Sequence, residues 1–99
     1  MNWSKILTWT VEFDAAAAKE LRKLDKSVQQ EILQYFRKRI ATNEDPRRFG
    51  KPLSAELTGL WRYRVRTYRM LCNINDNTLV VLVLRVGHRK VVYKKRRKI

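Results

Sequence analysis

The sequence has little cysteine, histidine, glycine or proline, and each shortage removes a class of function. Cys72 is the only thiol, so one chain can build neither a disulfide framework nor a cysteine-rich zinc site. His88 is the only histidine. No carboxylate cluster lies near it to complete a metal site, and no serine sits among nucleophile-elbow glycines to form a triad with it. With 3 Gly and 2 Pro, no Gly-rich phosphate loop precedes a helix, and flexible linkers have little room. The longest aliphatic run, residues 79–84, is far too short to span a bilayer, and no signal-type segment is evident. The expectation is a cytoplasmic chain with no membrane partner, no metal and no cofactor.

Acidic residues are scarce in one part of the chain. Lys and Arg number 23 against 9 Asp and Glu, a net charge of +14. Residues 1–59 hold 11 basic and 8 acidic side chains, whereas residues 60–99 hold 12 basic side chains and only Asp76 as an acid. Such a concentration repels itself in a compact fold unless a polyanion faces it, and nucleic acid is the commonest one. At 44% hydrophobic residues the chain is nonetheless a folding sequence rather than a basic tail. Ninety-nine residues make one domain, residues 1–99.

The apolar pattern sets the fold class. Residues 6–13 alternate, with Leu7, Trp9, Val11 and Phe13 on one side, and read as a strand. Asp14 caps a helix reaching about Leu24, with Ala17, Ala18, Leu21 and Leu24 as its apolar stripe. Asp25 or Ser27 starts a second helix to about Ala41, in which Val28, Ile32, Tyr35 or Phe36, and Ile40 recur at helical spacing and Ser27 with Gln30 has capping-box spacing. Residues 43–52, with two prolines, read as one long loop. Three strands follow, residues 60–66, 68–74 and 78–86, with a tight turn at Asn75-Asp76-Asn77. The predicted architecture is α+β: an N-terminal strand, a helical hairpin, then an antiparallel three-stranded meander, forming a small twisted antiparallel sheet with the helices on one face. In the first meander strand Trp61, Tyr63 and Val65 point one way and Arg62, Arg64 and Arg66 the other, leaving the uncovered face to arginine.

Arg, Lys, Tyr and His side chains without a metal suit one reaction in particular. RNA carries its own nucleophile, the 2′-hydroxyl. A base takes its proton, cations neutralise the charge growing on the adjacent phosphate, and an acid protonates the leaving 5′-oxygen.

The segments Lys51-Pro52-Leu53, Leu60-Trp61-Arg62-Tyr63-Arg64-Val65, Tyr68-Arg69 and Val86-Gly87-His88-Arg89-Lys90-Val91-Val92-Tyr93, together with Leu21-Arg22-Lys23-Leu24-Asp25 in the hairpin, resemble the RelE branch of the RelE/ParE toxin superfamily over nearly the whole chain. The resemblance implies the toxin of a type II toxin–antitoxin pair, a metal-independent endoribonuclease that cuts mRNA in the A site of the 70S ribosome and inhibits translation. It also implies a small acidic antitoxin, with a DNA-binding N-terminus, that wraps the toxin.

Arg69 then resembles the arginine that holds the scissile phosphate, Arg89 the one that stabilises the transition state or aids proton transfer, and Tyr93 the tyrosine that stacks on a base or serves in acid/base chemistry. Arg62 and Arg64 stand where several relatives carry lysines, and because arginine stays protonated they bind phosphate but do not act as bases. Proton abstraction is left to Tyr93, His88 or Lys51. Arg66, Lys90, Lys94 and Lys95 complete the expected RNA contacts. Two other functions share these features: a ParE-like inhibitor of DNA gyrase, and a basic RNA-binding module without activity.

Overall fold

Val11 and Phe13 turn inward from β1 (Thr10–Phe13), while Thr10 and Glu12 are exposed. The structure, a computed structural model, describes residues 8–88, so the expected beginning of this strand at Ile6 lies outside the described residues. Asp14 ends the strand and caps the next element, its carboxylate accepting the Ala16 N–H at 3.2 Å. Helix α1 (Ala15–Arg22) buries Ala17 and Leu21.

Helix α2 (Lys26–Tyr35) starts after Asp25, which makes no side-chain capping bond. Ser27 lies inside the helix, so the anticipated capping box does not form. Gln29 does the joining instead: its side-chain amide donates to the carbonyls of Leu24 at 2.7 Å and Arg22 at 3.3 Å, satisfying acceptors that α1 leaves open at its end. The second helix reaches Ile40 by way of a π turn over Phe36–Ile40, closed by the Ala41 N–H on the Phe36 carbonyl at 2.8 Å.

Among the described residues the sheet has five strands in the order β1-β5-β4-β3-β2, with β2 at Lys51–Pro52, β3 at Trp61–Val65, β4 at Tyr68–Asn75 and β5 at Val80–His88. The last three form the expected antiparallel meander. Two features differ from expectation. β1 runs parallel to β5, Thr10 opposite Val80 through Phe13 opposite Val83, so the sheet is mixed. Parallel neighbours need a long connection, and the hairpin and the rest of the meander supply it. The stretch read as one loop contains a 3₁₀ turn (Pro46–Phe49) and the short edge strand β2, whose Pro52 sits where a missing N–H costs the sheet least.

The helices cover one face. Ile32, Phe36 and Ile40 pack on Tyr63, Met70, Cys72, Val81 and Val83, and the Phe36 ring meets Tyr63 edge-on at 5.7 Å. The opposite face is not left to arginine alone: Leu60 and Leu71 are buried there among Leu53, Leu57 and Leu84.

Between β4 and β5 the register slips. Leu71 faces Arg85 while Cys72 faces Val83, making Leu84 the extra residue of a bulge. Beside the bulge, the Arg85 guanidinium pairs with Glu20 of α1, the two side chains 13% and 16% exposed. Glu20 also accepts the Val86 N–H at 2.9 Å.

Candidate nucleic-acid interface

Strand alternation decides which cations gather. Tyr63, Val65, Met70 and Cys72 point into the helix-covered core, so Arg62 and Arg64 on β3 and Arg69 on β4 point out of the other face. Register then sets their neighbours: Arg64 stands opposite Arg69, and Lys51 opposite Arg62. Like charges directly opposite across a sheet repel, so this arrangement suits an anion held between them. The guanidiniums are not simply dangling in water. Nε of Arg62, and Nε and Nη1 of Arg69, are shielded from solvent. Lys51, Arg62 and Arg64 line a cleft of about 240 Å³ together with Phe49.

The loop carrying Phe49 and Lys51 is anchored at both ends. Asp45 caps the 3₁₀ turn by accepting the Arg47 N–H at 3.0 Å, and the buried Tyr63 hydroxyl donates to the Pro46 carbonyl at 2.6 Å. Burial pushes the Tyr63 phenol well above its ordinary range, keeping it a neutral donor. Arg47 reaches from the turn to Asp76 in the β4–β5 turn with two bonds of 3.1 and 2.7 Å. These bonds draw the Asp76 carboxyl below the usual carboxylate value and raise Arg47. Gly50 completes the seat: a Cβ there would meet Tyr63 Cε1 at 3.2 Å and Trp61 Cε3 at 3.3 Å, so only glycine lets the loop lie this close to β3.

Two residues expected at the interface point elsewhere. Arg66 was placed with Arg62 and Arg64 by alternation, but it occupies the β3–β4 turn with a positive φ of 56° and pairs with Glu31 of α2 at 2.8 Å. The turn breaks the period that the strand obeys. His88 closes β5 opposite Tyr68, its ring 4.7 Å from the tyrosine ring. Tyr68 packs against the helix-side core, so this pair belongs to that side of the sheet, away from Arg62 and Arg64. The expected residues Arg89, Lys90, Tyr93, Lys94 and Lys95 lie outside the described residues. Arg69 has Gly87 as its register partner on β5. Among the described residues no three His, Cys, Asp or Glu side chains come together as a metal site, and no helix is long and apolar enough to cross a membrane.

Sequence reasoning did not anticipate Phe49 at the cleft, because residues 43–52 read as loop; the available signal was an aromatic ring between Arg47-Arg48 and Lys51. It also missed the Glu20–Arg85 pair, which joins residues 65 apart in the chain.

Comparison with known proteins completes the picture. Residues 11–93 match the sequence model of the family described as ParE toxin of type II toxin-antitoxin system, parDE. The chain belongs to this toxin family. The toxin is 34% identical to Toxin RelG of Mycobacterium tuberculosis over 89 residues, spanning 90% of this chain and 100% of that one. It is 29% identical to Toxin RelE of the same organism over 84 residues, 85% of this chain and 84% of that one.

Its fold is that of RelE toxins. It superposes on a chain of the toxin–antitoxin complex RelBE2 from Mycobacterium tuberculosis with a TM-score of 0.76 at 35% identity, covering 87% of this chain and 97% of that one. An arginine-to-alanine double mutant of the E. coli toxin RelE in the free state gives a TM-score of 0.70 at 25% identity, covering 93% and 98%. The molecule is therefore a RelE-like toxin of a type II toxin–antitoxin system.

Proposed function

We propose that the toxin is a metal-independent endoribonuclease that cleaves mRNA in the ribosomal A site. The observation that carries this reading is the gathering of Lys51, Arg62, Arg64 and Arg69 on the one sheet face the helices leave uncovered, with guanidinium nitrogens shielded from water. Cations held in register and partly desolvated bind a phosphodiester more tightly than solvated ones, and they neutralise charge that grows on its oxygens. Arg69 holds the scissile phosphate, Arg62 and Arg64 grip its neighbours, and Arg89 and Tyr93 supply transition-state charge and acid/base or stacking chemistry. The 2′-hydroxyl gives its proton to a base, Tyr93 or Lys51, and attacks the adjacent phosphorus; the bond from phosphorus to the 5′-oxygen breaks, that oxygen takes up a proton, and a 2′,3′-cyclic phosphate and a 5′-hydroxyl remain. Arginines make poor bases, so the ribosome contributes by holding the 2′-hydroxyl in line. The toxin acts in the cytoplasm and is restrained by an antitoxin, as the RelBE2 neighbour is a toxin–antitoxin complex.

Mapping cut ends on translating ribosomes tests this. Wild type leaves 2′,3′-cyclic ends, and Arg69→Ala, Arg89→Ala and Tyr93→Phe each slow cutting more than tenfold. Cleavage at the wild-type rate in all three would overturn the assignment. A second reading is favoured by the matched family, described as ParE toxin: inhibition of DNA gyrase. Arrested supercoiling with intact mRNA would establish it in place of the nuclease.

A further inference from the structure

Phe49 closes the 3₁₀ turn (Pro46–Phe49) with its aromatic ring exposed. Among the described residues the exposed large hydrophobics are Leu33 at 42% and Phe49 at 37%. The ring is fixed on a turn held by the Tyr63–Pro46 hydrogen bond, the Asp45 cap and the Gly50 seat. Two guanidiniums rest on it, Arg48 at 4.8 Å and Arg39 at 5.4 Å from the ring centroid. The same ring walls the cleft formed by Lys51, Arg62 and Arg64.

We propose that Phe49 is a stacking platform for a base of single-stranded RNA, adjoining the phosphate-binding cleft. An aromatic face beside backbone-tracking cations is the arrangement by which proteins hold unpaired nucleotides, and stacking on such a face tolerates any base. The guanidiniums over the ring keep its surroundings positive, and a base that settles on the face displaces one of them, exchanging a cation–π contact for stacking. A ring on a pinned turn loses little freedom when a base settles on it. The inference rests on the reading that this face binds RNA, but it requires no cleavage.

The test measures binding of the full chain to a non-cleavable 2′-O-methyl RNA and to an abasic strand of the same length and charge. Phe49→Leu keeps apolar bulk and removes the π face; it is expected to weaken RNA binding about tenfold while leaving the abasic strand unaffected. Phe49→Trp retains wild-type RNA binding. Arg62→Ala weakens both strands, because it removes charge rather than stacking. Equal RNA binding by Phe49→Leu and wild type overturns the platform, as does a wild type that does not distinguish RNA from the abasic strand. A polyglutamate peptide whose binding, and not that of RNA, depends on Phe49 also overturns it in favour of a protein partner. A wild type that stacks RNA in this way yet leaves mRNA uncut on ribosomes supports the platform and removes the nuclease reading instead.

Discussion

Arg64 and Arg69 stand directly opposite each other across the β3–β4 ladder, two positive charges at one rung of a sheet. Cross-strand like charges destabilise a sheet by about 0.2–1 kcal/mol. Arg64→Gln is therefore expected to raise the melting temperature slightly while lowering mRNA cleavage about tenfold or more. Thermal melts and ribosomal cleavage rates on the same preparation check this. An arginine there for packing alone would show lower stability and unchanged cleavage.

Glu20 and Arg85 form a largely buried pair that also holds the Val86 backbone. Removing one member leaves the other desolvated, at a cost of roughly 3 kcal/mol. Glu20→Gln should lower urea-unfolding stability by about that amount. The double change Glu20→Leu with Arg85→Met should recover part of it. Additive losses in the double variant would show that the two side chains act separately.

Asp76 has its carboxyl held below the ordinary value by the hydrogen bond from Arg47. A depressed carboxylate contributes stability that is present above its unfolded pKa and lost as pH falls through the lower, folded value. The toxin should thus lose stability as pH drops below about 4. In Asp76→Asn that part of the acid dependence should be absent. The pair is exposed, so the difference at neutral pH is small and shrinks with salt. Stability curves against pH for the two proteins make the comparison.

Cys72 is fully buried, and burial pushes its thiol well above the usual range. The thiolate is the reacting form, so native protein should resist iodoacetamide at pH 8 and react only on unfolding. Labelling followed by mass spectrometry reads this directly. Rapid modification of folded toxin would contradict the packing around β4.

Gly50 lies against the Tyr63 and Trp61 rings, which cannot swing away as a long flexible chain would. Gly50→Ala should cost about 1–3 kcal/mol and loosen the loop that carries Lys51, so that cleavage falls along with the melting temperature. Full activity at unchanged stability would show that the loop is free to shift.

Sequence period made the helices and the meander legible. Val28, Ile32, Phe36 and Ile40 are all buried as their spacing requires, and Tyr63 with Val65 separates cleanly from Arg62 with Arg64. What was not legible depends on contacts between distant segments. The parallel partner of β1 could not be chosen from its own alternation, and β2 is too short to show a period. Arg66 followed the arithmetic of a strand into a turn that no longer obeys it. The bulge at Leu84 is hidden because one extra residue leaves an apolar run looking the same, yet it shifts the alternation so that Val86, not Arg85, joins Val81 and Val83 in the helix-side core.

The parallel union of β1 with β5 also orders events in time. Thr10 leaves the ribosome long before Val80, its eventual neighbour, so β1 waits for β5 to be made before it can pair. The helical hairpin, whose contacts are local, has no such wait, whereas strand closure across so long a stretch of chain is slow. A newly made molecule therefore passes through an incomplete stage, with the inner edge of its first strand still open, before its fold is closed.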